Sequence, residues 1–376
     1  MNSTKVGISG SNRWVKLVVG PCFALAATVA SAKASAADVA WVWADNPTAP
    51  AAYAPAAGYS FNSKGGANTV QRFGAGSYKV TLGGFKGDGQ IPAAAAHVVA
   101  YGGGHRCNIT SWTGTATAQF VNVFCYNGNA KVDGRFVVLY YDETTSSQLA
   151  GAHLYGLRSW NNLGGTNSSR RIAPGSYEVT LGRQGSYAGM GSVFVTSMHT
   201  ISSYCKVSSW RKGVAASGPK DLFAKVLCFD GAGNPADAPF VTSYFANSFF
   251  GATVAKRQSA FTLATNPTAA AAYTTDPNYT FSTLTTPITS LRTAAGSYTT
   301  TLNGFQASNK TAALTIAYGV DNVSCSPVGW NGGATRTDLR TQCRNGAGAP
   351  TDSKFGVLYL TDKAIPNSAY TASTLH

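Results

Sequence analysis

Apolar and polar positions along this chain alternate in short runs separated by glycine, proline and asparagine, the signature of strands rather than helices. β-branched and aromatic residues concentrate in the runs, and both suit a pleated, half-buried surface. Taken in order over the first third, the runs predict strands near Ala40–Ala44, Tyr59–Asn62, Thr69–Phe73, Ser77–Leu82, His97–Tyr101, Arg106–Trp112, Phe120–Tyr126 and Phe136–Tyr141. Gly74-Ala75-Gly76 reads as a tight hairpin turn, since glycine reaches positive φ without a Cβ clash, and Asn127-Gly128 and Asn345-Gly346 are turn signals of the same kind. Roughly seven or eight short strands in roughly a hundred residues predict a β-sandwich, with a small barrel as the alternative.

The pattern returns along the chain. Ala40–Phe85 matches Ala260–Phe305 without a gap at an offset of 220, placing Tyr53, Phe61, Arg72, Gly76, Tyr78 and Leu82 on Tyr273, Phe281, Arg292, Gly296, Tyr298 and Leu302. A middle copy joins at an offset of 99, with Trp160, Arg171, Gly175 and Tyr177 on Phe61, Arg72, Gly76 and Tyr78, but it lacks the Asn-Pro opening and is the divergent member. Cys107 and Trp112, Cys205 and Trp210, and Cys325 and Trp330 all spell C-x4-W. A second cysteine follows in each copy, then a D-x-x-F-x3-Y ending: Asp133, Phe136 and Tyr140; Asp237, Phe240 and Tyr244; Asp352, Phe355 and Tyr359. The expected architecture is all-β: three tandem immunoglobulin-like β-sandwich repeats over 37–145, 146–252 (divergent) and 253–376, with one disulfide each. The unit resembles a group of bacterial secreted proteins built from disulfide-containing β-rich repeats of uncharacterised function. That resemblance rests on the Asn-Pro-x-Ala opening, the C-x4-W element and the D-x-x-F-x3-Y ending; it implies secretion and a β fold, and no site residues.

The amino terminus changes the picture of where the chain works. Lys5, Arg13 and Lys16 precede an apolar run from Leu17 to Ala30, and Ala34-Ser35-Ala36 supplies an A-x-A cleavage site, so residues 1–36 read as a secretory signal peptide. The run is too short for a comfortable span, so no transmembrane anchor is expected, and the destination is the extracellular space, the cell surface or the periplasm. Six cysteines remain beyond the leader, an even number suited to an oxidising compartment. The pairing expected is Cys107 with Cys125, Cys205 with Cys228 and Cys325 with Cys343, each loop stabilising by about 3 kcal/mol in the chain-entropy model. A zinc site is the rival reading, but no histidine recurs beside these cysteines, so no metal and no cofactor is expected. Loss of Lys5, Arg13, Lys16 and Lys33 with the leader takes the net charge from +14 to +10. The surplus favours an anionic envelope polymer, while its scatter and the lack of any recognition module argue against nucleic acid.

Two recurring sets are candidate ligand-binding residues. Trp112, Trp210 and Trp330 either pack against the disulfide in the core or lie exposed as platforms for sugar rings; their odd spacing from the cysteine sends them to the opposite face of a regular strand. Arg72, Arg171 and Arg292 either clamp an anionic ligand or pair internally with Asp133, Asp237 and Asp352. No catalytic residues are nominated, since none of His97, His105, His153, His199 and His376 holds the same place in two copies, and no nucleophile elbow or zinc helix occurs. The expected function is therefore a secreted, non-catalytic binding or adhesion protein engaging a polysaccharide through three weak repeated sites. The alternatives are a structural surface or matrix protein that self-associates, and a secreted hydrolase of unfamiliar type.

Overall fold

The computed structural model describes residues 38–87, 94–142, 151–156, 158–187, 191–213, 220–246, 257–307 and 310–364; the leader, 1–36, lies outside them. The chain is all-β, with no α-helix among these residues and none long and apolar enough to cross a membrane. All three expected disulfides are formed, between directly opposed residues of neighbouring antiparallel strands.

The first unit contains β1 (Asp38–Ala44), β2 (Ser60–Asn62), β3 (Asn68–Gly74), β4 (Ser77–Gly83), β5 (Ala94–Ala100), β6 (Arg106–Gly114), β7 (Ala118–Asn127), β8 (Ala130–Lys131) and β9 (Phe136–Asp142). The second holds β10 (Gly151–Tyr155), β11 (Arg158–Asn161), β12 (Asn167–Ala173), β13 (Ser176–Leu181), β14 (Gly191–Ser197), β15 (Ser203–Lys212), β16 (Leu222–Asp230) and β17 (Phe240–Ala246). The third holds β18 (Arg257–Ala264), β19 (Tyr273–Thr274), β20 (Thr280–Ser282), β21 (Ile288–Ala294), β22 (Ser297–Asn303), β23 (Thr311–Tyr318), β24 (Ser324–Gly332), β25 (Arg336–Arg344) and β26 (Lys354–Ala364).

Each unit pairs these strands into two sheets of one design. The inner sheets run β2-β1-β9-β5, β11-β10-β17-β14 and β20-β18-β26-β23, and the outer ones β3-β4-β7-β6, β12-β13-β16-β15 and β19-β21-β22-β25-β24, with β15 and β23 joining the second unit's outer sheet and the third unit's inner sheet into one of eight strands. The outer strands β4, β7 and β22 alternate buried and half-buried residues, as in Tyr78-Lys79-Val80-Thr81-Leu82, because one face meets solvent. Inner strands do not alternate: every residue of β5, β9, β14 and β17 is buried. In the first unit one inner face (Val42, Val138, Tyr140) shares a core with Val80, Leu82 and Val121 of the outer sheet. The opposite face (Trp41, Val137, Leu139, Tyr141) belongs to a second core shared with the other two units. The three inner sheets thus bury their backs against one another.

One kind of joint links the units in a closed cycle. Ile109 of β6 bridges Met198 of the second unit, Val207 of β15 bridges Tyr318 of the third and accepts the Gly319 N–H (3.0 Å), and Pro327 of β24 accepts the Gly102 N–H of the first (2.9 Å). Ile109, Val207 and Pro327 hold the same place after their cysteines, so the cycle has pseudo-threefold symmetry. Head-to-tail contacts of this kind make a ring when the rotation closes, and here it closes within one chain.

Candidate functional site

The recurring arginines lie on the outer sheets, next to the Gly-Ser-Tyr turns. Arg72 grips Asp133 with both ends of its fork (Nε–Oδ1 2.9 Å, Nη2–Oδ2 2.8 Å), and the same carboxylate accepts the Gly76 N–H (3.0 Å) and the Tyr78 hydroxyl (3.0 Å). Arg171 with Asp237 and Arg292 with Asp352 repeat the knot, each with its own glycine and tyrosine. Arg72, aided by the Gly76 and Tyr78 donors, pulls the Asp133 carboxyl down to about 2. Gly76 sits at φ 63°, and a Cβ there would lie 2.5 Å from the Cys125 carbonyl oxygen, so the turn glycine is obligatory. One aspartate therefore explains three recurring motifs, and the arginine forks are occupied from within the chain.

The recurring tryptophans sit at the joints. Trp112 meets Tyr155 of the second unit (4.2 Å between ring centroids), and Trp210 meets Tyr279 and Tyr318 of the third (5.5 and 5.2 Å). Trp330 enters a socket of Tyr59, Tyr101 and Trp43 in the first unit (5.6, 5.5 and 6.3 Å). The parity expectation fails for a local reason. A bulge at Thr110, Ser208 and Val328 inserts one residue between cysteine and tryptophan, so Trp112 lies opposite the buried Val121, on the same side as the disulfide. Trp210 and Trp330 are buried and Trp112 is half-buried.

Between the joints, on the pseudo-threefold axis, lies a cleft that no single unit contains. Equivalent positions of all three units line it: Cys107, Cys205 and Cys325; Arg106, Tyr204 and Ser324; Asn108, Lys206 and Ser326. It has room of about 80 Å³, and an adjoining pocket of about 120 Å³ shares His105, Arg106, Ser324 and Arg344 with it. Four basic side chains (His105, Arg106, Lys206, Arg344) line the two, and among the described residues no carboxylate does.

These basic groups differ in how far they are neutralised. The Arg106 guanidinium stacks on the Tyr204 ring (4.1 Å) and donates to Ser324 Oγ and to the carbonyls of Gly231 and Asn345, each at 3.2 Å. Arg344 donates to the Gly348 carbonyl (2.7 Å) and Gln342 Oε1 (3.0 Å), while its buried Nε has no acceptor among the described residues. Among the described residues neither arginine has a carboxylate in ion-pair contact. Lys206, almost wholly buried, is paired with Asp321, and burial lowers its pKa. Burial also lowers the pKa of His105, whose Nε2 bonds the Arg135 carbonyl (2.8 Å). The His105 ring lies within 4.8 Å of the Cys107 and Cys125 sulfurs, but those are joined as a disulfide and offer no thiolate. The cleft is thus a field of fixed N–H donors and positive charge, able to hold an oxyanion.

Sequence reasoning missed the cleft residues. Arg106, Lys206 and Arg344 lie in three different copies and do not recur, so a search for shared residues passes them over. Comparison with protein-family models, with curated proteins and with solved structures finds no match to this chain.

Proposed function

We propose that the protein is secreted and acts as a non-catalytic binding protein for an anionic polymer of an envelope or its surroundings, gripping an oxyanion of that polymer in the axial cleft. The observation that carries this reading is the placing of Arg106 and Arg344, neither in ion-pair contact with a carboxylate among the described residues, in a cleft shared by all three units. Arg106 and Arg344, which have no carboxylate in ion-pair contact among the described residues, are cations of the kind that steer and hold anionic ligands, the more weakly as salt screens them. The three disulfides and the net positive charge support an oxidising destination and an anionic partner. Three weak sites, one per repeat, become one composite site, because the recurring arginines are paired with aspartates and the recurring tryptophans are packed at the joints. We extend the immunoglobulin-like description of the units to architecture alone, two facing antiparallel sheets with a strand order of their own.

Sedimentation of the purified protein with teichoic acid, lipopolysaccharide or an acidic polysaccharide, with neutral polysaccharides as controls, tests the proposal. Binding is expected to the anionic polymers, to weaken as salt rises, and to drop about tenfold or more in Arg344→Gln. Folded Trp112→Ala is expected to bind as the parent does. Equal binding to neutral polymers, or an Arg344→Gln protein that binds unchanged, would overturn it.

A further inference from the structure

The edge of a sheet presents backbone N–H and C=O groups that a further strand can use. In the first unit the segment 45–59, between β1 and β2, crosses this edge as a strap. The Tyr53 N–H donates to the Val70 carbonyl and the Val70 N–H to the Tyr53 carbonyl, both at 2.9 Å. The third unit has the same strap at 265–279, where β19 pairs with β21 and Tyr273 faces Ser290. In both, the tyrosine hydroxyl accepts the N–H of the Asn-Pro asparagine at 3.0 Å, closing the strap on itself. Val70 and Ser290 are buried beneath it.

The middle unit has no strap, since only two residues separate β10 from β11. Its equivalent of Val70 and Ser290 is Ser169, and every residue of β12 after Asn167 is exposed. Removing the cover opens the knot below: Arg171 and Asp237 are 51% and 47% exposed, against 31% and 22% for Arg72 and Asp133. A groove of about 330 Å³ takes the strap's place, lined by Leu154, Ser169, Tyr177, Ala238, Pro239 and Phe240. Ser169 lies opposite Val179 as Val70 lies opposite Val80, so its N–H and C=O point away from the neighbouring strand, into the groove.

We propose that this groove binds an extended peptide strand of a separate partner protein, added to the edge of β12 as the straps are added to β3 and β21. Among the described residues the molecule displays such an occupant at Tyr53 and Tyr273: a tyrosine preceded by alanine and followed by alanine or threonine, its backbone paired with the edge residue. Backbone pairing supplies the affinity and the tyrosine pocket the selectivity, as in other strand-addition complexes.

Titration of the full chain with synthetic peptides of residues 45–58 and 265–278, each with its tyrosine-to-alanine control, tests this. Saturable binding at one peptide per chain is expected, weakened by the controls. Ser169→Pro removes the N–H that faces the groove while leaving the pairing with β13, so the variant is expected to stay folded and lose affinity at least about tenfold. Hydrogen exchange at Ser169 is expected to slow when peptide is added to the unaltered protein, a result that stands even if the proline variant misfolds. No saturable binding, no slowing at Ser169, or an affinity that Ser169→Pro leaves intact would each sink the proposal. Self-association of the chain abolished by Ser169→Pro would place a second copy in the groove and overturn the assignment to a separate partner.

Discussion

His97 stands where β5 meets the second unit, fully enclosed, with Thr196 Oγ1 at 3.0 Å from Nδ1 and Ser243 Oγ at 2.7 Å from Nε2. The Tyr141 hydroxyl donates to the same Ser243 oxygen at 2.7 Å. Burial pushes the imidazole pKa down to about 3, so the folded protein holds it neutral while an unfolded chain protonates it near pH 6.5. Stability from this group is therefore complete above about pH 6.5 and falls with pH toward 3, by up to about 1.4 kcal/mol per pH unit. Leu314 fills the equivalent place in the third unit, so His97→Leu is a natural control. Urea midpoints at pH 7 and pH 5 are expected to fall further for the parent than for His97→Leu; equal losses would refute this account. The tryptophans carry a different lesson at this scale. Their recurrence was legible in the sequence, but their direction was not, because a bulge is invisible to counting along a regular strand.

At the scale of strands and turns, most of the fold could be read in advance. The eight strands expected in the first unit all form, with ends shifted by a few residues, since local alternation and turn chemistry act within one sheet. The Arg-Asp pairing was legible as one of two readings, because both members recur and one unit contains them. What alternation hides is burial on both faces: β5 reads Ala-Ala-Ala-His-Val-Val-Ala, and only the neighbouring units show why. The disulfides are an element-scale device, tying β6 to β7, β15 to β16 and β24 to β25 at the strands that form the joints. Replacing Cys325 and Cys343 together with alanine is expected to lower stability by about 3 kcal/mol. Guanidinium unfolding under oxidising conditions measures it, and a loss well below 1 kcal/mol would mean strand pairing alone sets the local constraint.

Over the whole molecule, a chain of independent sandwiches and a closed ring make different predictions. Independent units unfold separately, whereas units that share a core lose their partners' support when one opens. The second core draws on all three units, and Arg106 alone bonds residues of the second and third. Urea unfolding followed by far-ultraviolet circular dichroism and by tryptophan fluorescence is expected to give one coincident transition; three resolved steps would contradict the shared core. The ring was not legible in the sequence, because residues kept in every copy look like requirements of one unit even when they serve the contact between units. The axial cleft was still further from view, being built where the copies differ.

The lining of that cleft also shows what one chain can build that a trimer of identical chains cannot. A trimer of identical chains must place the same side chain at all three positions around its axis, and three arginines meeting there would repel one another. Three copies on one chain are free of that restriction, and each position can differ: Arg106 contributes the charge, Tyr204 the flat ring beneath it, and Ser324 a hydroxyl that accepts from it. Covalent linkage of the copies is thus what allows a nearly symmetric scaffold to hold an asymmetric site at its centre.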